Sequence, residues 1–150
     1  MRIGLIADTH GLLRAEAVAA LQEVSVILHA GDVGGLAVLT GLRAIAPVHA
    51  VYGNVDPLQP PLVASLDLEL EGIRIHVSHG HELGSPAPEK LARRYPADVI
   101  VYGHTHRALL QTVGATLVIN PGAAGPARFH LKPSVAHLTL PERQAQIVWL

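Results

Sequence analysis

The chain has 150 residues, enough for one domain with a real interior, and 49% are apolar but only 3% aromatic, so Val, Leu, Ile and Ala must fill the core. A formal net charge of −1 argues against a protein that lives on a nucleic-acid backbone or an anionic membrane surface. There is no cysteine, which excludes disulfides, thiolate zinc sites and thiol nucleophiles and leaves imidazole, carboxylate, amide and carbonyl groups as the available metal ligands.

The opening run "RIGLIA" is short and continuously apolar, as suits a strand covered on both faces. It is broken at Asp8, too early for a signal-peptide core, and no window reaches membrane-spanning length, so a cytoplasmic protein is expected. "LLRAEAVAALQ" has helical spacing, "VSVILHA" reads as a strand, "GLAVLTGLRAIA" as a helix weakened by Gly41, and "PVHAVYG" as a third strand. That alternation implies parallel strands with right-handed crossovers.

The period then changes. "LDLELEGIRIHVSHG" alternates apolar and polar on both sides of Glu71-Gly72, a hairpin signal. "SPAPEKLARRY" reads as a helix with Ser85 as N-cap and Pro86 at its first position. "DVIVYG" is a further buried strand, and "ALLQTVGATLVIN", "SVAHLTL" and "QAQIVWL" read as antiparallel strands. With no repeat or linker, residues 1–150 are expected to form one mixed α/β domain with two sheets packed face to face and helices outside.

Every strand exit in this rhythm carries polar groups of metal-ligand type. They are Asp8-Thr9-His10, Gly31-Asp32, Gly53-Asn54, His79-Gly80-His81 and Gly103-His104-Thr105-His106. Ligands gather beyond the carboxyl ends of strands in α/β sheets, so these loops can meet in space. Singly, an Asp-x-His or a Gly-Asp is a weak signal. Five in order, each at a strand exit, are a strong one.

These motifs ("DTH", "GD", "GNVD", "HGH", "GHTH", and then "NPGA") resemble those of the calcineurin-like metallophosphoesterases. More narrowly, the chain is similar to the small single-domain phosphodiesterases grouped with the vacuolar-sorting subunit of retromer. The likeness runs from Met1 to about Gly125, and the tail fits the family's closing strands loosely. It implies a four-layer α-β-β-α sandwich with two metals between the loops. By motif position, one metal would take Asp8, His10 and His106, the other Asn54, His79 and His104, with Asp32 bridging both. Two cations about 3.5–4 Å apart can clamp a phosphate and convert a bridging water to hydroxide at neutral pH. The donor mix suits manganese, iron, zinc, cobalt or nickel rather than magnesium or calcium, with manganese favoured.

Asp32, Asn54 and His81 are the candidates for acting on substrate, although His81 also reads as a plain loop residue. Asp56 is expected to brace the "GNVD" loop through backbone hydrogen bonds rather than to ligate metal. His29, His49, His76, His130 and His137 have no motif context and read as structural or surface residues, and Arg93-Arg94 as solvated charge. Arg107 adjoins the paired histidines and is a weaker candidate for a phosphate contact. Two positions depart from the family pattern: Val55 stands where many relatives have histidine, and Ala123 where serine is usual. The first removes a proton donor. The second removes a hydroxyl that would brace the loop.

The leading functional reading is a metal-dependent phosphodiesterase acting on small phosphate esters. The alternative is a retromer-subunit-like scaffold with little or no catalysis, which the seven intact candidate ligands disfavour. A nuclease on long polymers is disfavoured by the near-neutral charge and the lack of a basic-aromatic stripe. Neither a stable nucleic-acid partner nor a membrane is expected, and assembly as a homo-oligomer is left open.

Overall fold

The apolar runs of the first third become strands and the segments between them helices in the computed structural model, which describes residues 1–128 and 130–150. β1 (Arg2–Ile6), α1 (Ala15–Ala20), β2 (Val26–His29), α2 (Leu36–Arg43) and β3 (Val48–Ala50) follow one another. β1 pairs parallel with β2 and β2 with β3, so the three strands end on the same side. The hairpin β4 (Ser65–Leu70) and β5 (Ile73–Ser78) turns at Glu71-Gly72. A 3₁₀ turn (His81–Leu83), α3 (Pro88–Arg94), β6 (Val99–Val101), β7 (Leu109–Val113) and β8 (Thr116–Asn120) complete the second sheet. β9 (Ser134–Thr139) and β10 (Gln144–Trp149) then return to the first.

The sheet orders are β10-β9-β1-β2-β3 and β4-β5-β6-β8-β7. Strand alternation divides the apolar residues between two faces. Ile3, Leu5, Val77, Val99, Val101 and Leu138 fill the space between the sheets. Ile6 and Ile27 face outward against Leu21, Leu39 and Leu42 at the helices of the first sheet, while Ile100 and Val118 meet Leu91 of α3. At roughly 1.5–3 kcal/mol for each fully buried aliphatic side chain, these contacts define the four-layer α-β-β-α order. Among the described residues, no helix is long and apolar enough to cross a membrane.

Three expectations need correction. The helix expected at 85–95 is capped by Ala87 with Pro88 at its first position, not by Ser85 and Pro86. Ala87 precedes a proline and is extended (φ −131°, ψ 150°), which delays the helix. α1 is shorter than its periodic segment because Arg14 is still extended, with Nε donating to the Gly125 carbonyl at 3.0 Å. Finally, β8 is not purely antiparallel: it lies parallel to β6, with β7 outside it. Val118, Ile119 and Asn120 are buried, as a central strand requires, whereas β7 alternates as an edge strand can.

Candidate metal centre

The five polar loops converge. Asp8 donates its N–H to the Gly31 carbonyl, His10 to that of Asp32 and Gly11 to that of Val33, so the first two loops stay zipped beyond the ends of β1 and β2. Five candidate ligands adopt the left-handed backbone region: Asp8 (φ 53°), His10 (46°), Asp32 (54°), His104 (72°) and His106 (63°). Such a conformation in a non-glycine residue costs of order 1–3 kcal/mol and persists only where the surroundings enforce it. Close packing does so here. A methyl group on Gly53 would strike the Asp32 carboxylate, and one on Gly31 would lie 2.6 Å from His79 Nδ1.

Asp8 and Asp32 are both buried, and in each a backbone N–H pins one carboxylate oxygen. His104 N–H donates to Asp8 Oδ2 at 3.1 Å, and Val55 N–H donates to Asp32 Oδ1 at 3.1 Å. The other oxygen of each turns into the centre. Asp8 Oδ1 has no hydrogen-bond partner, yet it lies 3.5 Å from His106 Nε2, 3.8 Å from His79 Nε2 and 3.9 Å from His10 Nε2. Asp32 Oδ2 is 3.3 Å from His79 Nε2 and 3.7 Å from His10 Nε2. Asn54 Oδ1 is 3.1 Å from His79 Nε2 and 3.2 Å from His104 Nδ1. All seven candidate ligands therefore meet. Two groups, Asp8-His10-His106 and Asp8-Asp32-His79, present one ligand atom per residue within 4.8 Å of one another. Asp8 belongs to both.

The oxygens here, Asp8 Oδ1, Asp32 Oδ2 and Asn54 Oδ1, can only accept, and they crowd against imidazole nitrogens. His79 Nδ1 lies 2.8 Å from the Ala30 carbonyl and must donate there, which leaves the Nε2 lone pair of the neutral ring facing three oxygens. Burial disfavours protonation of His79, but the hydrogen bond to Asp32 and the Asp8 charge outweigh it and raise the pKa. Burial likewise pushes Asp32 upward, and its bond to His79 reverses this to a net lowering. His10 is held low by burial, against the pull of Asp32 and Asp8, with the Arg128 charge adding to the lowering; His104 is also low, chiefly through burial. A divalent cation among these oxygens and imidazole nitrogens would serve them together, the unpartnered Asp8 Oδ1 included. Ligands about 2.1 Å from a shared ion stand roughly 3.0–3.4 Å apart, close to the separations here. The residues fit a divalent transition metal.

A second set of residues holds the loops. Asp56 accepts from Val33 N–H (3.0 Å), Gly34 N–H (3.1 Å) and Gly53 N–H (2.9 Å), joining the exits of β2 and β3. His29, fully buried, accepts from Gly31 N–H through Nδ1 at 3.2 Å, so its neutral ring carries the proton on Nε2 and donates to Thr9 Oγ1 at 3.0 Å. Thr9 in turn donates to the Val33 carbonyl at 2.7 Å. Asn120 Nδ2 donates to the Gly103 carbonyl (3.1 Å) and to Thr105 Oγ1 (3.0 Å), bracing the "GHTH" loop. The sequence marked Asp56. His29 is structural, one of the two roles expected of it, while the bracing by Thr9 and Asn120 was missed, although Asn120 opens "NPGA".

His81 lies beside the centre, its ring centroid 5.4 Å from that of His79 and 6.4 Å from that of His104. Val55 is 61% exposed beside Asn54, and its backbone N–H joins the cluster at Asp32. Near Ala123, Ser134 Oγ donates to the Pro121 carbonyl at 2.6 Å and ties that loop. His49 and His130 are exposed, His76 bonds Asp67, and His137 lies within reach of Arg2 and the Ala20 carbonyl.

Residues 1–143 match the sequence profile of the calcineurin-like phosphoesterase superfamily domain. A probable metallophosphoesterase of Methanothermobacter thermautotrophicus is 34% identical over 94% of this chain and 82% of its own length. A phosphodiesterase of Methanocaldococcus jannaschii is 29% identical over 81% of this chain and 83% of its own. Among solved structures, an archaeal phosphodiesterase superposes with a TM-score of 0.84 at 24% identity over the whole of both chains. The zinc complex of Vps29 from Entamoeba histolytica gives 0.80 at 24% identity, over 100% of this chain and 98% of that one.

Proposed function

The chain belongs to the calcineurin-like phosphoesterase superfamily, and on that premise we propose that it is a dinuclear metal-dependent phosphodiesterase acting on small phosphodiesters. Asp8, His10 and His106 would hold one cation and Asn54, His79 and His104 the other, with Asp32 reaching both. Manganese is the favoured ion, within a donor set that also suits iron, zinc, cobalt or nickel. Two such ions supply Lewis acidity toward the phosphate and an activated water at neutral pH.

The observation that carries this reading is the orphaned Asp8 Oδ1, buried, without a hydrogen-bond partner, and ringed by the Nε2 atoms of His106, His79 and His10 at 3.5, 3.8 and 3.9 Å. The chain's own residues supply the rest. Val55 N–H fixes Asp32 so that its free oxygen faces His10 on one side and His79 on the other, as a bridging carboxylate requires. Asn54 is exposed and His104 half-buried, so they form the rim from which a phosphate ester enters. His81 stands near enough to contact that ester without joining the ligands.

Elemental analysis after manganese loading, with turnover measured on diesters, monoesters and cyclic nucleotides, tests the reading. Two ions per chain and diester hydrolysis are expected. No bound metal and no turnover would sink it and favour a protein-interaction scaffold.

A further inference from the structure

One rim of the centre is apolar. Leu12 follows His10 on the first ligand loop, Leu36 follows Asp32 on the second, and Val55 and Leu58 follow Asn54 on the third; all four are exposed. The three loops run side by side. Gly11 N–H donates to the Val33 carbonyl at 2.9 Å, and Asp56 joins the N–H groups of Val33, Gly34 and Gly53. The ligand loops of the second sheet bring His81, Thr105 and Arg107 instead. A single exposed leucine is ordinary, but four apolar side chains on adjoining loops mark a place where something apolar is met.

Leu36 is also one wall of a cleft of about 90 Å³, with Leu39, Pro57, Pro60, Pro61 and Leu62 as others. Val33 and Asp56 line it too, one residue after Asp32 and two after Asn54, so the cleft and the candidate ligands share the same backbone. The Asp56 carboxylate is spent on its three backbone N–H groups, which leaves Gln59 as the only uncommitted polar side chain lining the cleft among the described residues. Proline fixes φ, so walls built on three of them are set before anything binds, and little ordering cost follows.

We propose that this cleft is a subsite for a short aliphatic ester group, so that with the phosphate at the metals one alcohol arm of the diester crosses Leu36 and enters it. The inference rests on the dinuclear phosphodiesterase reading above and names a class of diester for it. A cavity of about 150 Å³ takes benzene, so this smaller one suits an arm of roughly three or four carbons.

The test is a series of alkyl p-nitrophenyl phosphodiesters, methyl to octyl, given to manganese-loaded wild type, Leu36→Ser and Leu58→Ser. p-Nitrophenol leaves in every case, so only the retained alkyl arm varies. Binding of methyl phosphate and butyl phosphate, measured by calorimetry, gives a second readout. In wild type kcat/KM should rise about 2- to 4-fold per methylene as far as butyl and then level off, and butyl phosphate should bind about 10-fold more tightly than methyl phosphate. Leu36 and Leu58 are exposed, so neither serine variant endangers the fold. With metal content unchanged, Leu36→Ser should lower kcat/KM for the butyl ester by about 5- to 10-fold and for the methyl ester by no more than about 2-fold. Leu58 does not line the cleft, and Leu58→Ser should behave as wild type. A flat wild-type series, an equal fall for methyl and butyl esters in Leu36→Ser, or the same loss in Leu58→Ser overturns the subsite and leaves the phosphodiesterase reading intact. So does a dimer, seen by light scattering, that Leu36→Ser dissociates, because the apolar rim would then belong to a second copy. A loaded wild type that hydrolyses none of the series overturns the phosphodiesterase reading, and this one with it.

Discussion

His29 ties the two loops that carry Asp8 and Asp32, and it can do so only while neutral. Its Nδ1 accepts the Gly31 N–H, so a second proton there would set two donors face to face. Burial dominates, and the pKa is held down to about 4 from the ordinary 6.5. Above pH 6.5 the ring is neutral whether the chain is folded or not, and the group adds no pH dependence. As pH falls from 6.5 toward 4, the unfolded chain takes up a proton that the folded chain refuses, so stability declines; below 4 both bind it and the loss levels off. At about 1.4 kcal/mol per pKa unit, the full loss is roughly 3 kcal/mol, a large share of a typical domain's stability. His29→Asn keeps an acceptor for Gly31 but cannot titrate. It should be less stable at neutral pH by about 1–2 kcal/mol, for the lost Thr9 bond and the smaller side chain. Urea unfolding of metal-free protein at a series of pH values from 7.5 to 4 measures both chains, and the other titrating groups largely cancel in the difference. The wild-type curve should fall more steeply, by about 3 kcal/mol over the interval. Parallel curves would show that His29 accepts its proton in the folded state and would refute the tautomer assigned to it.

Asp32→Asn should abolish turnover and weaken both metal sites, whereas His10→Ala should chiefly cost one ion; retention of both ions and near-normal rates in Asp32→Asn would disprove bridging. Gly53→Ala drives a methyl group into the Asp32 carboxylate, and calorimetry should find metal affinity down by at least about 10-fold, in the range set by loss of a supporting contact. Asp56→Ala strips a charged acceptor from three backbone N–H groups, and urea unfolding should show a loss of about 3 kcal/mol or more. Val55 offers no proton to a departing oxygen, so rates should fall steeply as the leaving group becomes more basic. Val55→His should lift alkyl esters by about 10²–10⁴-fold and leave activated aryl esters nearly unchanged. A flat wild-type series that steepens in His81→Ala would assign the proton to His81 instead.

Hydrophobic period made the layers legible, because a run such as "RIGLI" or "VILH" has few places to go except a covered strand. Pairing partners were less legible. "TLVIN" carries the same local signal beside a parallel as beside an antiparallel neighbour, and only the tertiary insertion of β8 between β6 and β7 decides. The start of α3 was missed for a local reason: two prolines, Pro86 and Pro88, both suit the first helical turn, and the extended backbone at Ala87 selects the second.

The candidate ligands were legible because their residue types are unusual at strand exits, but their supports were not, because supports look ordinary. A threonine, a strand-end histidine and an asparagine before proline have many uses, and sequence alone does not say which backbone groups they will meet. The strain at the centre explains why they are needed. Asp8, His10, Asp32, His104 and His106 all occupy positive φ, at a combined cost of about 5–15 kcal/mol if each costs about 1–3. A cost of that size is comparable to the stability of a whole domain. It is tolerable only because hydrogen bonds from Asp56, His29, Thr9 and Asn120, together with the Gly31 and Gly53 contacts, hold the loops where ordinary backbone preference would not. Loops held in this way keep carboxylate, amide and imidazole groups crowded around the unpartnered Asp8 Oδ1, an arrangement that relaxed loops would disperse. The supports are therefore where substitutions far from any substrate should first reduce metal affinity.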